Sequence, residues 1–413
     1  MNSKARILML ITNLGKGGAQ RVFYDHATAF SKFATINEVV YNLSHDSRVY
    51  DSGLPIKELK ISKFWSILGP FGRLIGRSIA LNYLVKNGDF DLVISHMDGA
   101  NWVNVLSFSI AAKILVVHGT VVHDKNVPAL IQWLRIKIIF PWLYNCANYT
   151  VCVSEGIKHE LSCIGRVRRA IAIPNFFDVE SIIEKSKIPI PKKWESLFEK
   201  NTILMTSGRL SDQKKQSYLI DILTLLRKQG SSAKLVILGD GELRDDLVKK
   251  CSSHNLSSWV SWEINSNFES AIDADVYFLG YVSNPYQYLR HASLFLFPSA
   301  WEGFPMALCE AMICGTPIVS TDCPTGPREI LAPGSIRDEY DLRVAEFAEC
   351  GVLMPIISST ADIEVWVKTV QNLLSDVQAR ERMSVSASQS IKSLDRSVVL
   401  CQWQLLIKNT MYV

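Results

Sequence analysis

Short apolar runs alternate with helix-length segments along almost all of this 413-residue chain, and this alternation constrains the fold more than any other feature. The runs are continuously apolar, as expected of parallel strands that are buried on both faces of a sheet. They form two series, which begin at Arg6, Glu38, Asp91, Lys113, Tyr149 and Ala170 and, later, at Thr202, Lys234, Asp275, Ser293, Thr316 and Cys350. Alternation with helices predicts doubly wound α/β sheets.

A proline-rich, charged stretch, SKIPIPKKWESLFEK from Ser186, separates the two series and is typical of a linker. We therefore expect two Rossmann-like domains, residues 1–185 and 186–394, that face each other across a cleft. The amphipathic segment 395–413 is expected to pack back onto the first domain. Ligands of such sheets bind at the carboxyl ends of the strands.

The composition favours a cytoplasmic protein. Nine cysteines are scattered without a CxxC pair or a His/Cys cluster, which predicts a reducing compartment and neither a zinc site nor a disulfide framework. The N-terminal apolar run is short for a signal peptide, and no uncharged apolar run is long enough for a membrane-spanning helix. Residues 1–175 hold 20 Lys+Arg and 11 Asp+Glu, whereas the rest of the chain holds 24 and 29. This asymmetry predicts different partners for the two halves.

The stretch SLFLFPSAWEGFPMALCEAMICG, from Ser293, carries the strongest indication of chemistry. A buried strand runs into a loop with Glu302 and Gly303, and Pro305 then opens a helix. Free N–H groups in the first helical turn favour an anion such as a diphosphate, and glycine lets the backbone approach it. Glu310, in the second turn, can accept hydrogen bonds from both hydroxyls of a ribose, and Glu302 from those of another group. The spacing suits a nucleotide diphospho-sugar, although two isolated glutamates would more simply be surface charges.

The loop SGRLSDQKK lies between a strand and a helix and places Arg209 and Lys214 five residues apart. A guanidinium fork and an ammonium can together neutralise a diphosphate. Lys215 is adjacent and competes with Lys214 for this role. A solvated basic loop is the simpler alternative.

EGFPMALCE resembles the E-x7-E motif of the retaining glycosyltransferases of family 4, which have the GT-B fold. The segments SGRLSDQKKQSYLI, LVILGDGELRDDL, FLGYVSNPYQYL and TNLGKGGAQR are similar to the same family, so the resemblance covers nearly the whole chain. It implies an N-terminal domain that binds the acceptor and a C-terminal domain that binds the nucleotide-sugar.

The resemblance also implies roles for matching positions. Glu302, Arg209, Lys214 and His118 take catalytic positions, with the two cations stabilising the leaving diphosphate in place of a metal. The implied donor-binding residues are Gly17, Gly18, Tyr281, Val282, Gly303, Phe304, Pro305, Met306, Ala307, Leu308 and Glu310. Gln20 stands where the family usually has glutamate, which changes the expected acceptor contacts.

Two histidines, His96 and His118, end predicted strands at the functional edge of a sheet. Family members often have a histidine at the position of His118, near the donor sugar. A structural histidine that caps a loop is an equal alternative. The stretch TDCPTGPREI also follows a strand, but the sequence assigns it no role.

Two Asp-x-Asp triplets, DFD at Asp89 and DAD at Asp273, resemble the metal-binding triplet of the other major glycosyltransferase fold. Both precede strands instead of following them, which predicts surface turns at the wrong edge of the sheet. No metal and no cofactor is therefore expected.

Two segments, from Lys63 to Gly88 and from Leu130 to Asn145, combine basic and aromatic residues and contain no acid. Such segments suit the surface of an anionic membrane. Helix packing against the sheet explains the apolar content equally well. Nucleic acid would also attract the basic groups, but no nucleic-acid motif accompanies them.

These features predict a retaining, metal-independent glycosyltransferase that is cytoplasmic and peripherally bound to the inner membrane. It is expected to move a hexose or N-acetylhexosamine from a nucleotide diphospho-sugar, with a UDP-sugar favoured over GDP-mannose, to a hydroxyl of a lipid-linked saccharide in surface polysaccharide synthesis. The alternatives are a sugar-nucleotide epimerase of similar fold, which would isomerise the sugar without transfer, and a non-catalytic nucleotide-sugar-binding protein. The sequence does not specify the donor sugar, the base, the linkage or the oligomeric state.

Overall fold

The structure is a computed structural model, and it describes residues 4–43, 49–125, 127–262, 273–335 and 342–411. The chain divides into two compact units. The first comprises residues 1–175 and 397–413, and the second residues 176–396.

The first unit is built on a parallel sheet with the strand order β3-β2-β1-β4-β5-β6-β7. The strands are β1 (Arg6–Ile11), β2 (Thr35–Val40), β3 (Ile56–Glu58), β4 (Leu92–His96), β5 (Ala112–Val117), β6 (Tyr149–Cys152) and β7 (Ala170–Ala172). The order reverses between β1 and β4, as in a doubly wound fold. All six strands predicted for this half of the chain are confirmed.

Helices connect the strands of this sheet. They are α1 (Gly18–Phe30), α2 (Lys63–Ile67), α3 (Gly69–Gly88), α4 (Asp98–Leu106), α5 (Ala129–Leu134), α6 (Phe140–Leu143) and α7 (Glu155–His159). Wide π turns follow α5 at Arg135–Ile139 and α7 at Glu160–Ile164. Such turns often mark functional regions of helices.

The second unit holds a sheet with the order β10-β11-β9-β8-β12-β13-β15-β14. Its strands are β8 (Ile203–Ser207), β9 (Lys234–Leu238), β10 (Ser258–Val260), β11 (Val276–Gly280), β12 (Leu294–Phe297), β13 (Ile318–Thr321), β14 (Glu346–Phe347) and β15 (Val352–Met354). The paired strands are parallel except β14, which runs antiparallel to β15. Here too the six predicted strands are confirmed.

The helices of the second unit include one that was not predicted from the sequence. They are α8 (Val179–Ser186), α9 (Lys192–Lys200), α10 (Ser217–Lys228), α11 (Arg244–Ser253), α12 (Tyr286–Leu289), α13 (Met306–Ile313), α14 (Pro327–Leu331), α15 (Thr360–Ser375) and α16 (Val377–Ser390). The expected linker contains α9, whose buried Trp194 meets Trp259 and Tyr277 edge to face. Its charged residues cover the outer face of an amphipathic helix, so composition alone resembled a linker.

Three short strands, β3, β10 and β14, were also missed. Each lies at the edge of its sheet and pairs on one side. An edge strand does not need the continuously apolar sequence of a strand that is buried on both faces. The sequence IKE of β3 accordingly has no apolar run.

The last helix, α17 (Arg396–Met411), returns the chain to the first unit. Trp403 is fully buried, and its ring lies 4.8 Å from that of His26 and 5.3 Å from that of Phe30, both on α1. This aromatic contact joins the C-terminal segment to the unit that holds the N-terminus.

No helix in the described part of the chain is long and apolar enough to cross a bilayer. All nine cysteines, which lie within the described ranges, carry free thiols.

Replacing Trp403 by alanine tests this contact. Loss of a buried tryptophan costs about 3–5 kcal/mol, because transfer free energy is lost and a cavity remains. We expect Trp403→Ala to speed hydrogen exchange in α1, measured by mass spectrometry on the full chain. Leu405→Ala, on the exposed face of α17, is the matched control and should leave exchange unchanged. Equal exchange in both variants would contradict the packing described.

Candidate functional site

Three of the predicted site residues, Arg209, Lys214 and Glu302, lie where the strand order of the second sheet reverses. β8 and β12 are neighbours, with β9 to β11 on one side of them and β13 to β15 on the other. The carboxyl ends of strands at such a point form the usual ligand crevice. The loop after β8 carries Arg209 and Lys214, and the loop after β12 carries Glu302.

Lys214 and Glu302 form an ion pair at this point. Lys214 Nζ lies 2.6 Å from Glu302 Oε1, and the side chains are 20% and 6% exposed. The ammonium also lies 5.0 Å from the centre of the Phe297 ring, at the end of β12. Both residues are predicted from the sequence to lie at the diphospho-sugar, and the structure brings their side chains into contact.

Gln213 ties the two loops together. Its backbone carbonyl oxygen accepts a hydrogen bond from Ala300 N at 2.9 Å. Its side-chain Nε2 donates to the backbone carbonyl of Trp301 at 2.8 Å. These contacts fix the backbone on either side of the ion pair. Gln213 was not predicted from the sequence, because a contact between loops 88 residues apart leaves no local pattern.

The loop after β13 supports Glu302 from its other side. The Thr325 hydroxyl donates a hydrogen bond to the carbonyl oxygen of Glu302. Gly326 has φ +94°, and a Cβ there would lie 2.5 Å from Pro305 Cδ, so this close approach requires glycine. The stretch to which the sequence assigned no role therefore holds the Glu302 loop in place.

Arg328 anchors this supporting loop. Its guanidinium lies 2.8 Å from the buried carboxylate of Asp322 and 2.7 Å from that of Glu346 on β14. Burial alone would lower the pKa of Arg328, but hydrogen bonds to Glu346 and Asp322 raise it above its ordinary value. The loop is thus held by a permanently charged fork.

The helix after Glu302 begins at Met306, as predicted. Pro305 is the N-cap of α13, and the first intrahelical bonds run from Leu308 and Cys309 to the Pro305 carbonyl. The amides of Met306 and Ala307 precede these bonds and lie at the positive end of the helix dipole. The first turn contains no acidic residue that would repel an anion.

Glu310 is placed by a hydrogen bond that the sequence did not reveal. The hydroxyl of Tyr286, on α12, donates to Glu310 Oε1 at 3.1 Å. Tyr281 and Val282 lie just before α12, at the carboxyl end of β11, and Tyr281 is exposed. Tyr281 and Val282, which the resemblance implies for donor binding, and the predicted ribose-binding Glu310 therefore belong to adjoining elements.

Arg209 is not part of the Lys214–Glu302 pair. Its guanidinium is exposed and lies 3.1 Å from Glu242 in the loop after β9. Exposed ion pairs contribute little, about 0–1 kcal/mol, so this one can exchange for a ligand at low cost. The predicted joint action of Arg209 and Lys214 stays a prediction.

In the first unit, His118 follows β5 and contacts His96 at the end of β4. His96 Nδ1 and His118 Nε2 are 2.9 Å apart, and the two ring planes differ by 23°. His26 on α1 lies edge to face with His96. Burial lowers the pKa of His118 to about 4, and burial with the positive charge of His118 lowers that of His26 to about 3. The pKa of His96 is lowered well below its ordinary value by burial and by both neighbours, so all three rings are neutral near pH 7.

The predicted glycine loop follows β1. Gly17 is the N-cap of α1 and Gly18 its first residue. Gln20 is buried, and its amide donates to Asn13 Oδ1, which also accepts a bond from Gly15 N. Gln20 thus orders the loop through a neutral contact.

The Asp-x-Asp triplets lie at the amino ends of β4 and β11, as predicted. Asp91 accepts a hydrogen bond from Arg6 N, and Asp275 pairs with Arg227 and Lys234. Within the described ranges, no group of three or more His, Cys, Asp or Glu side chains could hold a metal ion.

Two family models together match most of the chain. The model "Glycosyltransferase Family 4" matches residues 16–181, and the model "Glycosyl transferases group 1" matches residues 190–390.

Individual proteins resemble the chain over most of its length. An uncharacterized glycosyltransferase of Methanocaldococcus jannaschii is 27% identical over 367 residues, 83% of this chain and 85% of that protein. A Campylobacter jejuni enzyme, N-acetylgalactosamine-N,N'-diacetylbacillosaminyl-diphospho-undecaprenol 4-alpha-N-acetylgalactosaminyltransferase, is 25% identical over 346 residues, 81% of this chain and 85% of the enzyme. The crystal structure of Anabaena HepE with UDP and glucose has a TM-score of 0.73 at 18% identity, covering 98% of this chain and 100% of HepE.

The two parallel α/β sheets and the likeness to HepE define a GT-B glycosyltransferase fold. The chain belongs to glycosyltransferase family 4 and is a glycosyltransferase, as the two family models show.

The neutral histidines predict a pH dependence of stability. The unfolded chain protonates histidine below about pH 6.5, whereas the folded unit keeps His26 and His118 neutral down to about pH 3 and 4. Because the unfolded chain binds more protons in this window, the free energy of unfolding of the first unit should fall as the pH falls from about 6.5 to about 4. Above about pH 6.5 these histidines should cause no further change in the free energy of unfolding.

Urea titrations of the full chain at about pH 7 and about pH 5, read by proteolysis within residues 1–175, measure this fall. His26→Phe keeps an aromatic ring and removes one titrating group, so its stability should fall less with pH. An equal fall in the wild type and in His26→Phe would show that His26 is not held neutral by the fold.

Proposed function

We propose that this protein transfers a hexose or N-acetylhexosamine, with retention of anomeric configuration and without a metal ion, from a nucleotide diphospho-sugar to a hydroxyl of a lipid-linked saccharide in surface polysaccharide synthesis. The observation that carries the proposal is the ion pair between Lys214 and the buried Glu302, just before the N-terminus of α13. This arrangement offers a cation and backbone amides for a diphosphate, together with a carboxylate for sugar hydroxyls.

The nucleotide is the best supported of the proposed ligands. Glu310 lies about one helical turn beyond the amides of Met306 and Ala307, and its hydrogen bond from Tyr286 fixes the carboxylate for a ribose diol. The structural relative HepE holds UDP and glucose, which favours a uridine diphospho-sugar. GDP-mannose is the alternative donor.

The mechanism we propose stabilises the departing diphosphate. Lys214 has three N–H donors, so it can hold Glu302 and a phosphate oxygen at once. Charge that develops on the leaving group then meets a preorganised cation and helix amides, with Arg209 as a second cation. A phosphate oxygen of the donor takes the proton of the acceptor hydroxyl, on the face that the leaving group vacates.

Glu302 orients the sugar in this mechanism. An ammonium at 2.6 Å stabilises the negative charge of the carboxylate and so reduces its nucleophilicity. The Glu302 side chain is also only 6% exposed, so its carboxylate oxygens are shielded from water. If Glu302 were instead a covalent nucleophile, a glycosyl-enzyme would accumulate with a slow donor analogue and be found by mass spectrometry.

The acceptor proposal is supported by exposed apolar side chains on two helical segments of the first unit. We call them together the apolar surface; they are Phe64, Ile67, Phe71, Tyr83, Leu130, Trp133, Ile138 and Trp142. Lys63, Arg73, Lys86 and Lys137 lie on the same helical segments, which contain no acid. Aromatic and basic groups together suit the face of an anionic bilayer. The polyprenol-linked acceptor in the name of the Campylobacter relative agrees with a lipid-borne substrate.

Nucleotide binding is the first test. We expect UDP to bind in the presence of EDTA, measured by calorimetry, and Glu310→Ala to abolish binding because the ribose contacts are lost. Tyr286→Phe should weaken binding up to about tenfold, since it removes one hydrogen bond that holds Glu310. Glu364→Ala, on the exposed face of α15, is the control and should bind normally. Binding that needs a divalent cation and ignores Glu310 would contradict the site.

The stereochemistry of the product is the second test. The proposal predicts a product with the anomeric configuration of the donor sugar, formed in EDTA and read from the anomeric proton by NMR. Inverted configuration, or an isomerised nucleotide-sugar without transfer, would contradict it.

Membrane contact is the third test. Full-length protein should co-sediment with vesicles that contain anionic lipid and much less with zwitterionic vesicles. Trp133→Ser with Trp142→Ser should reduce binding several-fold, because both rings belong to the apolar surface. Leu405→Ser replaces an equally exposed apolar residue outside that surface and should have no effect. Equal loss in both variants would contradict the proposed contact.

A further inference from the structure

The contact between His96 and His118 arises from the pairing of two adjacent strands. β4 and β5 run parallel, and His96, the last residue of β4, pairs with Val116. His118, the first residue after β5, lies two residues beyond Val116 and contacts His96. The ring centres are 5.1 Å apart and the ring planes differ by 23°. His118 Nε2 and His96 Nδ1 are then 2.9 Å apart, a hydrogen-bond distance.

This hydrogen bond decides which atom of His118 is available. One nitrogen of the pair carries a proton and donates, and the other accepts. In either case His118 Nε2 is occupied by His96, and Nδ1 is left for a ligand. The bond also couples the tautomers of the two rings. When His96 Nδ1 carries the proton, His118 Nε2 accepts it, and when His118 Nε2 carries the proton, His96 Nδ1 accepts it.

His96 itself has little freedom to move. Its side chain is fully buried, and the rings of Phe23 and His26, both on α1, meet it edge to face at 5.2 and 5.4 Å. Among the described residues, no hydrogen-bond partner is found for His96 Nε2. Within the described ranges, the Nδ1–Nε2 contact is therefore the polar interaction that holds the His96 ring in place.

We propose that His96 is a positioning residue, which fixes the ring plane of His118 and restricts it to one tautomer so that Nδ1 faces a saccharide hydroxyl. The identity of this ligand rests on the proposed glycosyl transfer, whereas the positioning itself does not. A hydroxyl can donate or accept, so it can pair with either form of Nδ1. A single tautomer fixes whether Nδ1 donates to that hydroxyl or accepts from it, so the hydroxyl is held in one orientation.

Three variants separate the polar contact from packing. His96→Phe keeps a ring of similar size and removes both nitrogens. His96→Asn restores a polar group close to the position of Nδ1, and its amide can donate or accept. His26→Phe changes a second buried ring that touches His96 but makes no hydrogen bond to His118, so it serves as the matched control.

Nitrogen-15 NMR of the imidazoles reads the tautomer directly, with His118 assigned from the His118→Gln variant. We expect one tautomer at His118 in the wild type and in His26→Phe, and both tautomers in His96→Phe. In sugar transfer, His96→Phe should lower kcat/KM by about tenfold, the equivalent of one hydrogen bond, and His96→Asn should recover most of it. His26→Phe should stay near the wild-type value.

Two results would overturn the proposal. One is a mixture of tautomers at His118 in the wild type, and the other is a single tautomer that survives in His96→Phe. If the wild type showed no sugar transfer with any donor, the proposed function would fail, and the NMR result would still decide whether His96 positions His118.

Discussion

The ion pair between Lys214 and Glu302 is the interaction on which the rest of the candidate site depends. The Glu302 side chain is 6% exposed and that of Lys214 is 20% exposed, at the carboxyl ends of β12 and β8. Removing Lys214 would leave the buried Glu302 carboxylate without its counter-charge. The surrounding loops are accordingly fixed, by Gln213 on one side and by Thr325 on the other.

This arrangement explains why the supporting loop after β13 is itself charged and tightly held. Arg328 spans Asp322 and Glu346, and Gly326 allows the loop to lie against Pro305. A loop that could shift would move the backbone of Glu302 with it. Preorganised charge of this kind costs no reorganisation when a leaving group develops negative charge.

Much of the fold could be predicted because parallel strands need continuously apolar sequence, and twelve such runs are strands in the structure. Glu302 and Lys214 could be found because each follows a strand in a loop with a recognisable pattern. Their contact could not, because it joins loops 88 residues apart. The same reason hides Tyr286, Arg328 and the pairing of His96 with His118. Helix α9 was mistaken for a linker because an amphipathic helix and a charged linker have similar composition.

A double-mutant cycle on Lys214 and Glu302 tests most directly whether the ion pair acts as one functional unit. Steady-state kcat/KM for sugar transfer would be measured for the wild type, Lys214→Met, Glu302→Gln and the double variant, with folding checked by circular dichroism. If the pair acts as one unit, each single change removes most of the activity, and the double variant is no worse than the poorer single variant. Losses that simply multiply would show that Lys214 and Glu302 act independently, and the site would not depend on their contact.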